Sequence, residues 1–278
     1  MSIITFWNNS KNGHIGQTSS VIATATLMAI EHNYKILVIS PQLGDMDLEK
    51  AYGVSDNSTM KFLGMKEGKF NSGIEGIMKF VSSGKINPEV IRDFTKIVLK
   101  NRLEIITGKK ENNQENDRFD FNKYIDVIKL ANQYYDMVFV DLNKGLNKLT
   151  RKFLEASNII ICNMEQKLEE VQKLEELQKE EDIIAGKKVL YLLNKYENNS
   201  KYNAKNLMRN SEIKKDIFTI PYDVMYSDAL QDGTVDQFML NPKIRRAELD
   251  EEHGFFIAQI NKFCEAIIYR LQELHMLG

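Results

Sequence analysis

The sequence predicts a single-domain α/β protein with a doubly wound, mainly parallel sheet and helices on both of its faces. Seven short apolar runs, rich in Val, Ile and Leu, are continuous rather than alternating, as in strands that are buried on both faces. Helical patterns separate these runs, and this alternation favours parallel strands joined by right-handed crossovers. The 278 residues can bury a sizeable core, and we find no internal repeat and no long linker.

The predicted strands and helices follow one another along the whole chain. The strands are expected at residues 3–7, 35–39, 103–106, 137–140, 158–162, 188–193 and 217–220. The helices are expected at residues 18–33, 73–81, 88–100, 121–133, 147–155, 168–181, 203–210 and about 255–274. We therefore expect residues 1–278 to form one domain with a helical insertion at about 54–100.

Composition excludes some classes of protein. The 37 Lys and Arg residues nearly balance the 39 Asp and Glu residues, which argues against a globally basic nucleic-acid binder. Cys162 and Cys264 lie far apart in apolar surroundings, as core cysteines of a reducing cytoplasm do. The N-terminus lacks the pattern of a signal peptide, and no apolar run approaches the ~18 residues of a membrane span. We expect a soluble, cytoplasmic protein without an integral membrane segment.

The segment from Phe6 to Ser20 has the order strand, loop, helix, and it resembles a phosphate-binding loop (P-loop) that lacks its main cation. A P-loop reads G-x-x-x-x-G-K-[ST], because glycine lets backbone N–H groups approach the phosphates and the lysine reaches their β and γ oxygens. Here Gln17 stands at the lysine position and Lys11 at that of the first glycine. The residues that we expect to contact a bound nucleotide through this loop are Asn12, Gly13, His14, Ile15, Gly16, Gln17, Thr18 and Ser19.

Three later strand ends carry polar or turn-forming residues. Asp141 ends a buried run, where a carboxylate can hold the water shell of a Mg²⁺ bound to Thr18; the alternative is that it caps the next segment. Asn194 ends another run, and its amide suits a purine edge, although a turn explains the residue better when it is taken alone. Pro221 follows the last run in a turn, which is also its plain interpretation.

In combination these segments resemble the MinD/ParA group of P-loop ATPases. That group carries a KGGVGKT[ST] loop, a second strand ending in aspartate, a Y-D-x-h-h-h-D strand, an h-h-N-[KR] strand and an I-P-Y-D turn. The corresponding stretches are residues 11–19, 36–47, 135–145, 192–196 and 220–223. Within the group, the chain is most similar to the TadZ/CpaE-type proteins that position pilus or secretion machinery, although it lacks their additional N-terminal domain. The resemblance implies a P-loop NTPase-like fold, ATP and Mg²⁺ as ligands, Asn194 and Pro221 as nucleotide-binding residues, and a homodimer.

The sequence departs from the group at residues that act in hydrolysis. Gln17 supplies no charge to the phosphates. The lysine that reaches the partner's nucleotide corresponds to Lys11 if the loop has an insertion and to Asn12 if it has none. Ser40 lies nearest to the expected position of the aspartate that orients the attacking water, and Asp47, several residues later, is expected to begin a helix. The resemblance and its departures together predict nucleotide binding without efficient hydrolysis, with Asp141 and Lys11 as the remaining candidates for catalysis.

Three functional hypotheses follow. The first is an ATP-binding, dimerising positioning or assembly factor whose partners belong to a pilus, secretion or conjugation machine. The second is an active ParA-like partition ATPase whose DNA contact would rest on the cluster at Lys243–Arg246. The third is a pseudo-ATPase scaffold that binds no nucleotide. A charged helix at 165–182 and the closing helix are expected to pack on the sheet rather than to bind a partner or lipid.

Overall fold

The computed structural model describes residues 1–10, 15–43, 47–54, 73–81, 87–108, 121–142, 144–186, 188–213, 217–245 and 251–276. These residues form a sheet of eight strands that is parallel except for one edge strand. The predicted fold class is therefore confirmed. In spatial order the strands are β3 (Lys96–Leu99), β4 (Leu103–Gly108), β2 (Ile36–Leu43), β5 (Met137–Asp141), β1 (Ser2–Trp7), β6 (Ile159–Met164), β7 (Lys188–Tyr196) and β8 (Ile217–Pro221).

Helices cover both faces of this sheet, because neighbouring residues of each strand enter different apolar clusters. In β1, for example, Ile4 packs with the helices at Gln17–Glu31 and Glu251–Met276, whereas Ile3 packs with helices on the opposite face. On the first face lie α1 (Gln17–Glu31), α2 (Asp47–Ala51), α9 (Val224–Asp232), α10 (Val235–Leu240), α11 (Pro242–Arg245) and α12 (Glu251–Met276). On the other face lie α3 (Ile74–Val81), α4 (Phe121–Ala131), α5 (Lys148–Ala156), α6 (Leu168–Glu180), α7 (Asp182–Gly186) and α8 (Ala204–Arg209).

The topology creates a crevice at the carboxyl ends of the central strands. From β1 the chain passes to α1 on the first face, and from the adjacent β6 it passes to α6 on the opposite face. Connections that leave neighbouring strands on opposite faces open a crevice, where α/β proteins bind their ligands. Asn8, Ile15 and Gly16, from the segment between β1 and α1, lie at this crevice.

One predicted helix is wrong. Residues 88–100 form a 3-10 helix at Pro88–Phe94 and then strand β3, which pairs antiparallel with β4 at the edge of the sheet. Asn87 caps the 3-10 helix by accepting a hydrogen bond from the N–H of Glu89. The following Lys-Ile-Val-Leu run contains β-branched residues, which favour strands, and it pairs with the edge of β4. These two preferences outweigh the helical spacing of its apolar residues. The predicted helical insertion at about 54–100 lies partly outside the described residues and stays a prediction.

The charged helix at 165–182 and the closing helix pack on the sheet, as predicted. Val171 and Leu174 of α6 are buried against β6 and β7, and Phe256, Ile260 and Phe263 of α12 are buried on the first face. Both cysteines are buried as well. None of the described helices combines the length and the apolar character that a bilayer crossing requires.

Candidate functional site

A cavity of about 870 Å³ opens at the carboxyl ends of β1, β5, β7 and β8. Its walls come from five segments that are distant in sequence. These segments are the start of α1 (residues 15–20), α2 with Asp47 and Lys50, the loop after β5 with Leu142 and Lys144, the end of β7 with Lys195, and residues 220–231 of β8 and α9. The volume and the polar wall suit a ligand of nucleotide size.

The predicted P-loop residues from Ile15 to Ser19 line this cavity. Gly16 precedes α1 in the left-handed conformation with φ +83°, and its carbonyl accepts hydrogen bonds from the Ser20 N–H at 3.0 Å and the Ser19 hydroxyl at 2.7 Å. A glycine is favoured there because side chains strain this conformation. The other predicted phosphate contacts and the candidate cross-dimer lysine lie outside the described residues: Lys11, Asn12, Gly13 and His14.

The Gln17 side chain turns toward the protein interior. Its Nε2 donates to Asp141 Oδ1 at 2.6 Å and to the Leu142 carbonyl at 2.7 Å, with the Phe6 carbonyl at 3.3 Å. Its Oε1 accepts from Asn8 Nδ2 at 2.8 Å. The amide at the lysine position therefore joins the ends of β1 and β5 instead of offering its donors to the cavity.

Thr18, on the cavity wall, is paired with the buried Asp141. The Thr18 hydroxyl donates to Asp141 Oδ2 at 2.6 Å, and the Asp141 side chain has no solvent exposure. Because the hydroxyl proton points to the carboxylate, the oxygen lone pairs of Thr18 are left for a cation on the cavity side. These residues fit the predicted Mg²⁺ role, with Thr18 as the ligand and Asp141 behind it. The next helix, α5, is capped by Asn147 rather than by Asp141.

Asn194 and Pro221 have different surroundings. Asn194 is 3% exposed; its Oδ1 accepts from the Ser20 hydroxyl at 2.7 Å, and its Nδ2 donates to Asn163 Oδ1 at 3.2 Å. The amide predicted to read a purine edge thus joins α1 to β6 and β7, and Asn194 is not among the residues that line the cavity. Pro221 lines the cavity together with the exposed Tyr222.

The end of β2 offers no carboxylate where the resemblance places the water-orienting aspartate. Ser40 is fully buried, and its hydroxyl finds no hydrogen-bond partner among the described residues. Asp47 begins α2, as predicted, and it also lies on the cavity wall together with Lys50. In the described part of this region, the carboxylate on the cavity wall therefore belongs to a helix and not to the strand end.

Tyr226 and Lys195 are wall residues that the sequence analysis did not single out. The Tyr226 hydroxyl donates to the Ser19 carbonyl at 2.6 Å and fastens α9 to the first turn of α1. Burial raises the pKa of this phenol well above its ordinary value, so it remains a donor at neutral pH. The only sequence signal for Lys195 is its place directly after Asn194 at a strand end.

Solved structures with a similar fold are nucleotide-binding ATPases and their relatives. The chain matches a ParA family ATPase from Chlorobium tepidum with a TM-score of 0.67 and 15% identity, over 95% of this chain and 98% of that one. It matches the septum site-determining protein MinD of Pyrococcus horikoshii, complexed with Mg-ADP, with a TM-score of 0.63 and 16% identity, over 96% of this chain and 98% of that one. The match to a putative plasmid partition protein from Borrelia burgdorferi, bound to AMPPNP, has a TM-score of 0.61 and 18% identity, over 98% of both chains.

At these identities the likeness establishes the fold, which is that of the MinD/ParA P-loop ATPases. No protein-family model matches the sequence, and no curated protein matches it. The roles of individual residues are therefore argued from the geometry of this chain.

Proposed function

We propose that this protein binds ATP with Mg²⁺, dimerises, and acts as a positioning or assembly factor of the MinD/ParA type with weak or no ATP hydrolysis. One observation carries the proposal: the cavity at the carboxyl ends of the central strands is lined by Gly16, Thr18 and Ser19 in a MinD/ParA fold. The similar MinD and plasmid partition structures hold Mg-ADP and AMPPNP, respectively.

The residues that remain suit nucleotide binding. Gly16, which has no side chain to block the backbone, lines the cavity together with Thr18 and Ser19. When bound, Mg²⁺ would neutralise phosphate charge and fix the orientation of the phosphates. Thr18 would hold the ion, and Asp141 would keep the Thr18 hydroxyl proton turned away from it.

Weak hydrolysis follows from two missing charges. Gln17 carries no charge and directs its donors to Asp141 and the backbone, so it gives little stabilisation to negative charge that develops on the phosphates. Ser40 is neutral and buried at the end of β2, where the resemblance places the water-orienting aspartate. Asp47 on the rim is the alternative carboxylate for this task.

Slow turnover would suit a switch better than a motor. A bound γ-phosphate would order loops around the cavity and create a surface for a second copy, to which Lys11 would contribute. By resemblance to the TadZ/CpaE-type proteins, the dimer would then position components of a pilus, secretion or conjugation machine in the cytoplasm.

Isothermal titration calorimetry of the full chain with ATP and MgCl₂ tests the binding. We expect saturable heat that depends on Mg²⁺, and a melting temperature that rises with nucleotide concentration. Thr18→Ala should weaken the Mg²⁺-dependent part, whereas Ser200→Ala, which removes a hydroxyl outside the cavity, should leave binding unchanged. No heat and no rise in melting temperature at millimolar ATP would overturn the proposal.

The second candidate is a scaffold that binds no nucleotide. The inward bonds of Gln17 and the double engagement of Asn194 favour it, because both amides stabilise the protein itself in the absence of a ligand. Negative titrations with ATP, ADP and GTP would support this candidate. For the DNA-binding alternative, Arg246 and the side chain of Arg245 lie outside the described residues, so that alternative stays a prediction.

A further inference from the structure

A lysine from outside the P-loop lies against the last glycine of that loop. Lys195 belongs to the end of β7 and lines the cavity. A Cβ atom placed on Gly16 would lie 3.2 Å from both Cγ and Cε of Lys195. The aliphatic part of the lysine therefore runs across the backbone that begins α1, beside the wall residues Thr18 and Ser19.

The backbone of β7 is distorted at Lys195. In a regular strand, successive side chains point to opposite faces of the sheet. Asn194, however, contacts Ser20 of α1, and Lys195 contacts Gly16 at the start of the same helix. Tyr196 then packs in the cluster on the opposite face. The strand thus turns two successive side chains toward α1.

Two features of the backbone produce this turn. Lys195 has a φ of +49°, in the left-handed region that side chains disfavour, and the pairing of β7 with β8 shifts register between Asn194 and Tyr196. Irregularities of both kinds often direct a side chain into a functional site. Here they bring a positive charge to the cavity.

Gln17 brings no charge to the phosphate position and points its amide inward, and of the lysines on the cavity wall, which include Lys50 and Lys144, Lys195 is the one that packs on Gly16. We propose that Lys195 is the phosphate-binding cation of this site, in place of the lysine that the P-loop lacks. The inference rests on the proposed nucleotide binding and specifies how the phosphates are held. The ammonium group of a lysine acts as a point charge at the end of a flexible side chain. A lysine on β7 can therefore contact a phosphate as well as one in the loop can.

Titration of three variants with ATP and MgCl₂, and with inorganic triphosphate, tests this role. Lys195→Met keeps the stem and removes the charge, so affinity should fall about 10- to 100-fold, as expected for the loss of a charge-assisted hydrogen bond. Lys195→Arg should restore most of the affinity. Lys205→Met removes the same charge from an exposed position of α8, outside the cavity, and should bind like the wild type. Affinity of the Met variant should also depend less on salt.

Lys195→Gly separates binding from folding. Glycine relieves the positive φ, so the melting temperature should rise or stay level while affinity falls as in Lys195→Met. Unchanged affinity in the Met and Gly variants, with a wild type that binds, would overturn the role of Lys195 alone. A wild type that binds triphosphate through Lys195 but not ATP would support that role and overturn the nucleotide proposal. A wild type that binds neither would overturn both.

Discussion

Gln17 acts at the residue scale as a connector of three chain segments. Its amide accepts a hydrogen bond from Asn8 after β1, and it donates to Asp141 and to the Leu142 carbonyl at the end of β5. Asp141 also accepts from Thr18, so both carboxylate oxygens are satisfied without solvent. A buried carboxylate is tolerated only when such partners are present.

Replacing Gln17 with Leu should lower the free energy of unfolding by about 2 to 4 kcal/mol, because Asp141 Oδ1, the Leu142 carbonyl and the Asn8 amide each lose a buried partner. Urea denaturation followed by circular dichroism measures the change. Gln133→Leu, at an exposed position near the end of α4, is the control and should stay within about 0.5 kcal/mol of the wild type. Equal stability of the two variants would contradict the structural role of Gln17.

Loop spacing predicted where Gly16 and Thr18 lie, but it did not predict the direction of the Gln17 amide. Spacing reports neighbours along the chain, whereas Gln17 finds its acceptor Asp141 at a separation of 124 residues. Lys195 was missed for a similar reason, since its contact with Gly16 depends on a local backbone conformation that no residue type announces.

At the scale of elements, a contact between two glycines fixes the distance between α2 and α9. Gly53 follows α2 with φ +60°, and Gly233 ends α9 with φ +71°. A Cβ atom on Gly233 would lie 2.7 Å from the Lys50 carbonyl and 3.0 Å from Cα and N of Gly53. Since α2 carries Lys50 and α9 carries Tyr226, this contact holds two walls of the cavity together.

Gly233→Ala should therefore destabilise the fold more than Gly145→Ala. Both glycines have positive φ, but a Cβ atom on Gly145 would meet no atom within 4 Å. We expect Gly145→Ala to cost about 1 kcal/mol, from the left-handed conformation alone, and Gly233→Ala about 2 to 4 kcal/mol, because backbone must also move. Chemical denaturation of both variants measures the difference, and equal losses would rule out the steric contribution.

Elements with a strong local signal were predicted, and those that depend on a partner were not. The strands of the parallel part were recognised because each is an apolar run between turns. Strand β3 was mistaken for part of a helix, since its four residues are defined by pairing with β4. The short helices α9, α10 and α11 follow Pro221 without a long periodic pattern, and they are held by packing against α1 and α12.

On the scale of the whole molecule, the two cysteines report on opposite faces of the sheet. Cys264 of α12 lies in the cluster with α1, and Cys162 of β6 lies in the cluster with α6. Burial raises the pKa of the Cys264 thiol above its ordinary value, which lowers its thiolate content and reactivity in the folded state. A single-domain protein should expose both thiols in the same unfolding transition.

Thiol labelling in increasing urea checks this expectation with Cys162→Ala and Cys264→Ala, which leave one reporter each. In each variant the labelling midpoint should coincide with the unfolding midpoint measured by circular dichroism on the same protein. Labelling of either thiol at clearly lower urea would reveal that one face opens separately and would contradict a single cooperative domain.

The α/β class could be predicted from the sequence because the strand and helix patterns are local. The spatial order of the strands could not, since β1 pairs with β5 and β6 across about half of the chain. The cavity depends on that order, because it brings Gly16, Lys195 and Tyr226 to one crevice.

The central position of β1 has a consequence for biosynthesis. Strand β1 is translated well before β5 and β6, the strands that flank it, and the hydrogen bond from Tyr226 to the Ser19 carbonyl spans 207 residues. A nascent chain therefore exposes the apolar β1 for much of its translation, a state in which chains are prone to aggregate. The cavity itself can form only after residues 220–231, which line it, have been translated.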